Sequence, residues 1–466
     1  MFLENVKEEI RFTPRFFYGK TFTALCAVLT YVFWIAELNY IGFLLFFALL
    51  ALIFVLCRDA SPSLTVITLM LFTPTTQNFA ATEIALVASG FALFAAGIIV
   101  HFLRFGADFS FLKPKNIKPV TLSMLVILPA VALGGVTRGG RDILVYLAVV
   151  ATFVVLSAVY VVFYASCAGG KGAPILDAVV RSAVAMGGLL CAQMLTIAIK
   201  CGNVPNILFA VEHRLFSLTW MHANNIAALL SVAIPVTLYC AAKSKKAPEI
   251  YIGLAVLEFC VMVLTGSRGA LAITACALPI VAIVLAVKAQ NKKRVLIDFA
   301  VVVVLGGIVA GVFFDRLKEM FSRFLELGFS DNGRFEIYEF AIENFKAWPI
   351  FGAGMDYAFG TFGKWQVFWY HSTFFQILAC FGILGVLAFG YFFFARYFVF
   401  LKGADWKKLA LFFGLLLSDI YGLLDVTFFH TDIFIIAAIF CMAAEKTLPD
   451  GKWFNFRRKA TLQPQT

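Results

Sequence analysis

An arginine in a glycine-flanked turn is the side chain of this sequence best suited to chemistry. Arg268 lies within Thr265–Ala270 (TGSRGA), between two apolar runs that each read as a membrane helix. A fixed positive charge at the edge of the hydrocarbon costs at least about 2.5 kcal/mol unless a partner offsets it. A Gly-Ser-Arg-Gly turn that opens a helix also presents free backbone N–H groups and the positive end of the helix dipole. The sequence therefore predicts an anion-binding site here, with phosphate as its usual occupant.

Other polar groups flank the apolar runs in positions where they can join Arg268. If the helix starts that carry them meet at one face of the membrane, they form an electropositive chamber. Glu258 differs, because it lies within an apolar run about 15 Å along the helix axis from Arg268; it either pairs structurally, which we favour, or belongs to a relay. The flanking groups are Glu212, His213 and Arg214, followed by His222, Asn224 and Asn225; His371, Ser372 and Thr373; and Asp425, His430 and Asp432.

Each polar group also has a plainer interpretation. An arginine at the end of a membrane helix is often an anchor that reaches toward water, although an anchor needs no flanking glycines. Arg214 alone reads as an ordinary loop charge, and His371, beside Trp369 and Tyr370, reads as a residue of the membrane interface. His430 and the nearby aspartates read as a polar cap. Only the combination of these groups indicates a site.

The surrounding chain has the composition of a membrane protein. Its 466 residues are 62% hydrophobic and 14% charged, its mean hydropathy is +0.92, and apolar runs of about 18–20 residues recur along it. We predict an all-α, polytopic integral membrane protein, a single domain over residues 1–466 with about 14 (roughly 12–14) transmembrane helices. The predicted spans are 20–37, 41–57, 62–74, 84–103, 120–136, 143–165, 183–199, 226–242, 250–264, 270–287, 296–314, 373–395, 409–424 and 433–444.

Lysine and arginine residues mark one side of this membrane domain. They collect in the N-terminal arm, in alternate loops and in the tail at residues 445–466, which predicts that both termini are cytoplasmic. The net charge of +11 is therefore a topology signal, and nucleic-acid binding is the poorer explanation. The longest segment on the opposite side, residues 315–372, is predicted as an extracytoplasmic loop with amphipathic helices at Arg316–Leu327 and Gly333–Phe345.

Several chemistries lack their sequence signatures. The chain contains no GxxxxGK[ST] phosphate-binding loop, no HExxH or DxD arrangement for a metal and no GxSxG nucleophile turn. Handling of an anion by arginine is the chemistry that remains. We therefore predict that the protein uses neither a metal nor a cofactor.

Three patches of the sequence, taken together, resemble the bacterial O-antigen ligase and O-antigen polymerase superfamily. Leu264–Leu271 is similar to the Ser-Arg-Gly turn of that family, and Gly333–Gly354 to its R…PxxGxG segment. Tyr370–Gly385 is similar to its His-Asn-x-x-Leu-Gln…Gly-x-x-Gly span. Each patch is common on its own, but their order along the chain is specific.

Two further features bear on the resemblance. Glu212–Leu215, followed by Asn224 and Asn225, is similar to a fourth and weaker family patch. The chain departs from the family at Ser372, where an asparagine usually follows the histidine; a serine can still cap the helix. About 14 spans are more than a ligase of this family typically has, which favours a polymerase.

The resemblance implies a GT-C-like glycosyltransferase in the bacterial inner (plasma) membrane, with its active site on the periplasmic side. Such an enzyme transfers a glycan from undecaprenyl diphosphate to an acceptor hydroxyl, and attack opposite the leaving group inverts the anomeric carbon. By the same resemblance, Arg268 and Arg214 hold the diphosphate, and His371 is a base or orients the acceptor. Supporting roles fall to Ser267, Ser372, Arg334, Asn224 and Glu258.

Three functions stay open at this point. A ligase that uses a lipid A–core saccharide as acceptor leads slightly over an O-antigen or exopolysaccharide polymerase, which joins repeat units on the same carrier. A transporter of the same polyprenyl-linked glycan is the third, and it predicts inverted repeats and charges along a path through the membrane. The predicted partners are the lipid-linked donor, a saccharide acceptor and membrane lipids, without nucleic acid.

Overall fold

The computed structural model describes residues 15–75, 81–140, 142–169, 174–213, 215–218, 221–312, 314, 318, 333–356 and 369–448. Within these residues the regular structure is helical and no β-strand occurs, which confirms the predicted all-α class. Long apolar runs form helices because a helix satisfies its own backbone hydrogen bonds away from water. The α-helices are α1 (Lys20–Ile35), α2 (Asn39–Leu56), α3 (Pro62–Met70), α4 (Ala81–Phe105), α5 (Pro119–Leu133), α6 (Ile143–Ser166), α7 (Ile175–Lys200), α8 (Val204–Glu212), α9 (Ala223–Lys243), α10 (Pro248–Leu264), α11 (Arg268–Lys288), α12 (Lys292–Val312), α13 (Arg334–Ala347), α14 (Thr373–Leu401), α15 (Trp406–Gly422) and α16 (Thr431–Lys446).

Every predicted span overlaps one of these helices. Among the described residues, 7 helices are long and apolar enough to cross a membrane, namely α2, α4, α6, α7, α9, α11 and α14, and α1 and α5 are shorter apolar helices. These features support an integral membrane protein. The count of about 14 spans, the GT-C-like fold, the single domain and the sidedness of the loops and tail stay predictions.

The third predicted span is helical only in its first part. α3 has 9 residues, a length of about 13 Å, which is less than half of the ~30 Å hydrocarbon core. The helix ends early because the residue before Pro74 disfavours the helical conformation. The chain continues to Thr75, whose N–H donates to Asn39 Oδ1 at 3.0 Å at the start of α2. Gln193 Nε2 donates to the Phe72 carbonyl at 2.8 Å, so this non-helical stretch has a partner for its backbone inside the bundle.

α9 is the central helix of the bundle. Almost all of its residues are buried, and it packs against α7, α10, α11 and α15. Small residues permit this close approach: a Cβ at Gly414 of α15 would lie 2.5 Å from the Val232 carbonyl oxygen. Because α9 is enclosed on all sides, Asn224 and Asn225 in its first turn are held in fixed positions.

α14 is broken at Gly382. This residue has φ +60° and ψ −154°, a conformation open almost only to glycine. Residues 373–381 and 383–401 are therefore two helical pieces. The carbonyls at the end of the first piece and the N–H groups at the start of the second cannot bond to each other, so they need partners from elsewhere.

Residues 349–354, here called the docking segment, supply those partners. Gly352 and Gly354 have φ of +67° and +86°, and a Cβ at Gly352 would lie 2.3 Å from the Cys380 carbonyl carbon. The PxxGxG pattern and the glycine of α14, which the sequence shows as separate patches, are thus two halves of one contact. Its backbone hydrogen bonds run from Ala353 N to Ala379 O (2.7 Å), Gly354 N to Cys380 O (2.9 Å), Ile383 N to Pro349 O (2.8 Å) and Leu384 N to Ile350 O (3.1 Å).

α13 confirms that Gly333–Phe345 is helical. It begins at Arg334 and leads directly into the docking segment. Asn344, one of its buried residues, donates to the Tyr370 hydroxyl at 2.8 Å, which attaches α13 to the chain just before α14. The other predicted amphipathic helix, Arg316–Leu327, lies outside the described residues apart from residue 318.

Candidate functional site

The carboxylate of Asp425 is the centre of a polar cluster at the end of the bundle where α11 and α14 begin. Asp425 lies in the loop between α15 and α16 and is buried. Its Oδ2 accepts hydrogen bonds from Asn224 Nδ2 at 2.5 Å and Tyr421 Oη at 3.2 Å. Its Oδ1 accepts one from Val426 N at 2.8 Å. Asn224 lies in the first turn of α9 and Tyr421 in the last turn of α15, so the carboxylate connects these two helices with its own loop.

His371 approaches the same carboxylate from the start of α14. Its Nδ1 lies 3.4 Å from Asp425 Oδ1, within ion-pair distance but beyond the roughly 2.7–3.2 Å of an ordinary N–H···O hydrogen bond. The imidazole side chain is 44% exposed, so one edge faces a buried carboxylate while the rest of the ring is accessible. A proton on Nδ1, directed at the carboxylate, leaves Nε2 as an acceptor for the proton of a substrate hydroxyl.

The backbone of His371 is held in an uncommon conformation. Its φ is +49°, in the left-handed region, which costs a residue other than glycine about 1 kcal/mol or more. Its carbonyl accepts a hydrogen bond from Tyr338 Oη at 3.1 Å, and the next-but-one N–H, that of Thr373, donates to the Asp425 carbonyl at 3.2 Å. These bonds, one to the strained residue itself and one just after it, fix where the imidazole lies.

The Ser-Arg-Gly turn reaches the cluster through Tyr421. Ser267 Oγ lies 2.9 Å from Tyr421 Oη, and Gly269 packs on the ring of that tyrosine, where a Cβ would lie 3.0 Å from Cε2. Arg268 is the first residue of α11 and is half-buried. The turn predicted to bind an anion is therefore two hydrogen bonds from the central carboxylate. We call Asp425, His371, Asn224, Tyr421 and Ser267 the Asp425 cluster.

The surroundings of the cluster fix two protonation states at neutral pH. Burial, the largest influence on Asp425, would raise its pKa. The hydrogen bonds from His371 and Val426, with the charges of His371 and Arg334, outweigh burial and lower that pKa to about 2. Burial lowers the pKa of His430 to about 4, although Asp425 opposes this change. Asp425 is therefore ionised and His430 neutral, and Asp425 supplies the negative charge that orients His371.

The structure brings four of the predicted site residues to one place. His371, Ser267 and Asn224 are members of the Asp425 cluster. Arg334, the first residue of α13, is close enough for its charge to act on Asp425. Together with the turn at Arg268, these residues come from α9, α11, α13 and α14, so the predicted meeting of helix starts occurs among the described residues.

Three further predicted residues remain, namely Ser372, Arg214 and Glu258. Ser372 is buried at the N-cap of α14, yet its side chain makes no capping hydrogen bond, so the expectation that it caps the helix is wrong. Arg214 lies outside the described residues, and its role stays a prediction. Glu258 is fully buried in α10 and accepts a hydrogen bond from Thr237 Oγ1 at 3.0 Å. Its partner is therefore a hydroxyl in the middle of the bundle, and Glu258 lies about 9 Å along α10 from the end of that helix at the Ser-Arg-Gly turn.

Asp425 and Tyr421 are not among the residues that the sequence singles out for catalysis. The sequence suggests only a polar cap for Asp425, and Tyr421 falls in an apolar run. One signal was present: four positions separate them, the spacing that places two side chains on one face of a helix, at the end of the apolar run. Their connection with His371 depends on the fold, because the carboxylate and the imidazole lie on different loops.

Comparison with known proteins covers the middle of the chain. Residues 253–390 match a protein-family model described as O-Antigen ligase. The matched segment begins in α10 and ends in α14, and it contains the Ser-Arg-Gly turn, α13, the docking segment and His371. The resemblance read from the sequence is confirmed for this segment, whereas the weaker patch at Glu212–Leu215 lies before it. A search of curated proteins finds no match to the chain.

Proposed function

We propose, on the premise that residues 253–390 match the O-antigen ligase family model, that this protein is a metal-independent glycosyltransferase. It transfers a glycan from undecaprenyl diphosphate to an acceptor hydroxyl at the outer face of the inner membrane. One observation supports this function above the others: the Ser-Arg-Gly turn and His371 are joined through Tyr421 and Asp425 in a single site.

The donor diphosphate binds at the start of α11. Backbone N–H groups and the helix dipole favour an anion there, and Arg268 adds a fixed charge. Arg214 supplies a second guanidinium, and Arg334 adds positive potential from the start of α13. Guanidinium groups stabilise the charge that develops on the leaving oxygens, because a planar fork of donors matches the phosphate oxygens.

The acceptor hydroxyl reacts beside His371. Its oxygen bonds to the anomeric carbon as the bond between that carbon and the diphosphate oxygen breaks, and the lipid diphosphate leaves with the electron pair. His371 Nε2 takes the hydroxyl proton, and the ionised Asp425 stabilises the imidazolium that results. A single displacement from the opposite face inverts the anomeric carbon. The diphosphate ester supplies the activation, so the reaction needs no ATP on the outer side of the membrane.

The acceptor separates two forms of this enzyme. The ligase form uses a lipid A–core saccharide and leads slightly. The polymerase form uses another repeat unit on the same carrier, and the predicted count of about 14 spans, more than a ligase typically has, favours it. Donor chemistry and site residues are the same in both forms.

Arg268→Ala lowers glycan transfer by about 10²–10³-fold, the usual loss when one preorganised donor to a developing oxyanion is removed. The assay uses the purified full-length protein, a synthetic polyprenyl-diphosphate glycan, and a core saccharide and a second repeat unit as competing acceptors. Arg268→Lys recovers only part of the activity, because an ammonium cannot bind the diphosphate through two parallel hydrogen bonds. The identity of the product shows whether the wild-type protein is a ligase or a polymerase.

Arg104→Ala is the matched control for Arg268→Ala. Arg104 ends α4 on the exposed surface and bonds to the Val55 carbonyl at 2.8 Å, so its loss leaves transfer unchanged. Full transfer by Arg268→Ala contradicts the proposed diphosphate site. If Arg268→Ala instead stops the carrier from crossing proteoliposome membranes, the protein is the transporter.

Asp425→Asn lowers kcat by about 10–150-fold, because a hydrogen bond to a charged group contributes roughly 1.5–3 kcal/mol. KM for the donor stays near the wild-type value, since Asp425 acts on the imidazole. The double variant with His371→Ala loses no more than His371→Ala alone, which a double-mutant cycle measures. Additive losses in that cycle contradict the pairing. Asp177→Asn, in an exposed carboxylate that pairs with Lys407 at 2.6 Å, is the control and keeps full activity.

A further inference from the structure

An apolar groove lies between α9, α10, α11 and α12. Its volume of about 790 Å³ falls within the roughly 300–1,000 Å³ of typical ligand sites. The wall is aliphatic and aromatic and includes Phe259, Leu278, Leu296 and Val303. Among the described residues of the wall, Lys292 is the only charged one. The groove therefore suits a hydrocarbon chain with a polar group at one end.

The groove occupies the half of the bundle away from the Asp425 cluster. On α12 its wall runs from Lys292 to Val303, a rise of about 16 Å, which matches the ~15 Å of hydrocarbon in one leaflet. On α10 and α11 the wall residues nearest to Arg268 are Phe259 and Leu278, about 8 Å and 15 Å along the helix axes from the ends of these helices at the Ser-Arg-Gly turn. The groove thus has the depth of one leaflet and its polar end at Lys292.

Positive charge collects at that polar end. α12 begins with Lys292, Lys293 and Arg294 and has no acidic residue in its first turn, and α11 ends at Lys288. Cations at a helix N-terminus oppose the helix dipole. An anion bound there is therefore attracted both by the basic side chains and by the positive end of the dipole. Glu249 pairs with Arg294 at 2.7 Å, and the α12 residue Asp298 is not part of the groove wall. The net charge at the polar end of the groove is positive.

We propose that this groove binds one anionic phospholipid, with an acyl chain along the wall and the phosphate at Lys292 and Lys293. Basic residues at the membrane surface between helices recognise anionic headgroups by charge, and the depth of the groove fits a chain from a single leaflet. The diphosphate of the polyprenyl donor binds at Arg268, beyond the far end of the wall, so it does not supply the anion at Lys292. The bound lipid packs α12 against α10 and α11.

Thermal unfolding of the purified full-length protein in a neutral detergent, with added phosphatidylglycerol or phosphatidylcholine, tests this site. Phosphatidylglycerol raises Tm at lower concentration than phosphatidylcholine, since a lipid that binds the folded state stabilises it. Lys292→Gln weakens phosphatidylglycerol binding about fivefold, the share of one basic residue at an anionic lipid surface. Lys115→Gln, an exposed lysine between α4 and α5, leaves binding unchanged. Ala282→Phe fills the groove and weakens the binding of both lipids.

Three results overturn the proposal. One is equal stabilisation of the protein by the two lipids. Another is an equal loss of phosphatidylglycerol binding in Lys115→Gln and Lys292→Gln, which would mean that only the surface charge matters. Displacement of phosphatidylglycerol by undecaprenyl phosphate also overturns it and assigns the groove to the carrier chain. Lys292 is exposed, so its variant tests the site even where Ala282→Phe does not fold. The measurement involves no glycan transfer, so it succeeds or fails independently of the proposed enzyme activity.

Discussion

His371→Ala lowers kcat for glycan transfer by roughly 10²–10⁴-fold, the contribution of a positioned general base. Within the Asp425 cluster the imidazole is the suitable base. Asp425 has a pKa of about 2, which makes its carboxylate too weak a base near neutral pH, and its oxygens accept hydrogen bonds from Asn224, Tyr421 and Val426. Single-turnover rates with saturating donor measure the loss directly, because product release does not enter them.

A second substitution separates the two roles open to His371. Glutamine can donate and accept hydrogen bonds but cannot take the proton, so His371→Gln loses as much activity as the alanine variant if the histidine is a base. Recovery of most of the activity by glutamine means instead that His371 orients the acceptor. Donor binding, measured by titration calorimetry, stays unchanged in both variants, and full turnover by His371→Ala excludes this residue from the mechanism.

Gly382→Ala destabilises the protein by roughly 4 kcal/mol or more. A Cβ at this position would lie 2.6 Å from the carbonyl oxygens of Pro349 and Ile350, so the docking segment has to leave the break in α14. Four backbone hydrogen bonds then lose their partners, at about 1 kcal/mol each, and an alanine at positive φ adds strain. Tm of the purified protein in detergent, and protease cleavage within residues 333–356, measure the effect.

Gly390→Ala is the matched control on the same helix. A Cβ at Gly390 meets no atom within 4 Å, and alanine is the better helix former by about 1 kcal/mol. This variant therefore keeps or raises Tm. If Gly382→Ala has the same Tm as Gly390→Ala, the docking segment does not depend on the break in α14.

Hydropathy predicted the positions of the helices because the length and apolarity of each run can be read directly from the sequence. Each predicted span contains a helix, and the amphipathic pattern at Gly333–Phe345 became α13. Hydropathy could not show that α3 stops early, because an extended apolar stretch and a helical one have the same composition. Pro74 was the available signal, and the hydrogen bonds to Asn39 and Gln193 that stabilise the non-helical end depend on the fold.

The candidate site, like the fold, could be predicted from the sequence only in part. Arg268 and His371 are visible in the sequence, because a charge between apolar runs and a histidine at a helix start are costly or specific on their own. The role of Asp425 depends on distances across loops, and nothing local distinguishes it from Asp432, a few positions later. The tie between the Ser-Arg-Gly turn and His371 also passes through Tyr421, whose hydroxyl has meaning only once α15 lies beside α11.

The break at Gly382 decides which part of the chain can be exchanged with a relative. The backbone groups of α14 on either side of it bond to residues 349–354 instead of to each other. A hybrid protein whose junction lies between α13 and α14 would therefore combine a docking segment and an α14 from different parents. A hybrid protein that takes residues 333–390 from one parent keeps both halves of the contact, along with the histidine. Such a block preserves its own internal fit when it is moved whole.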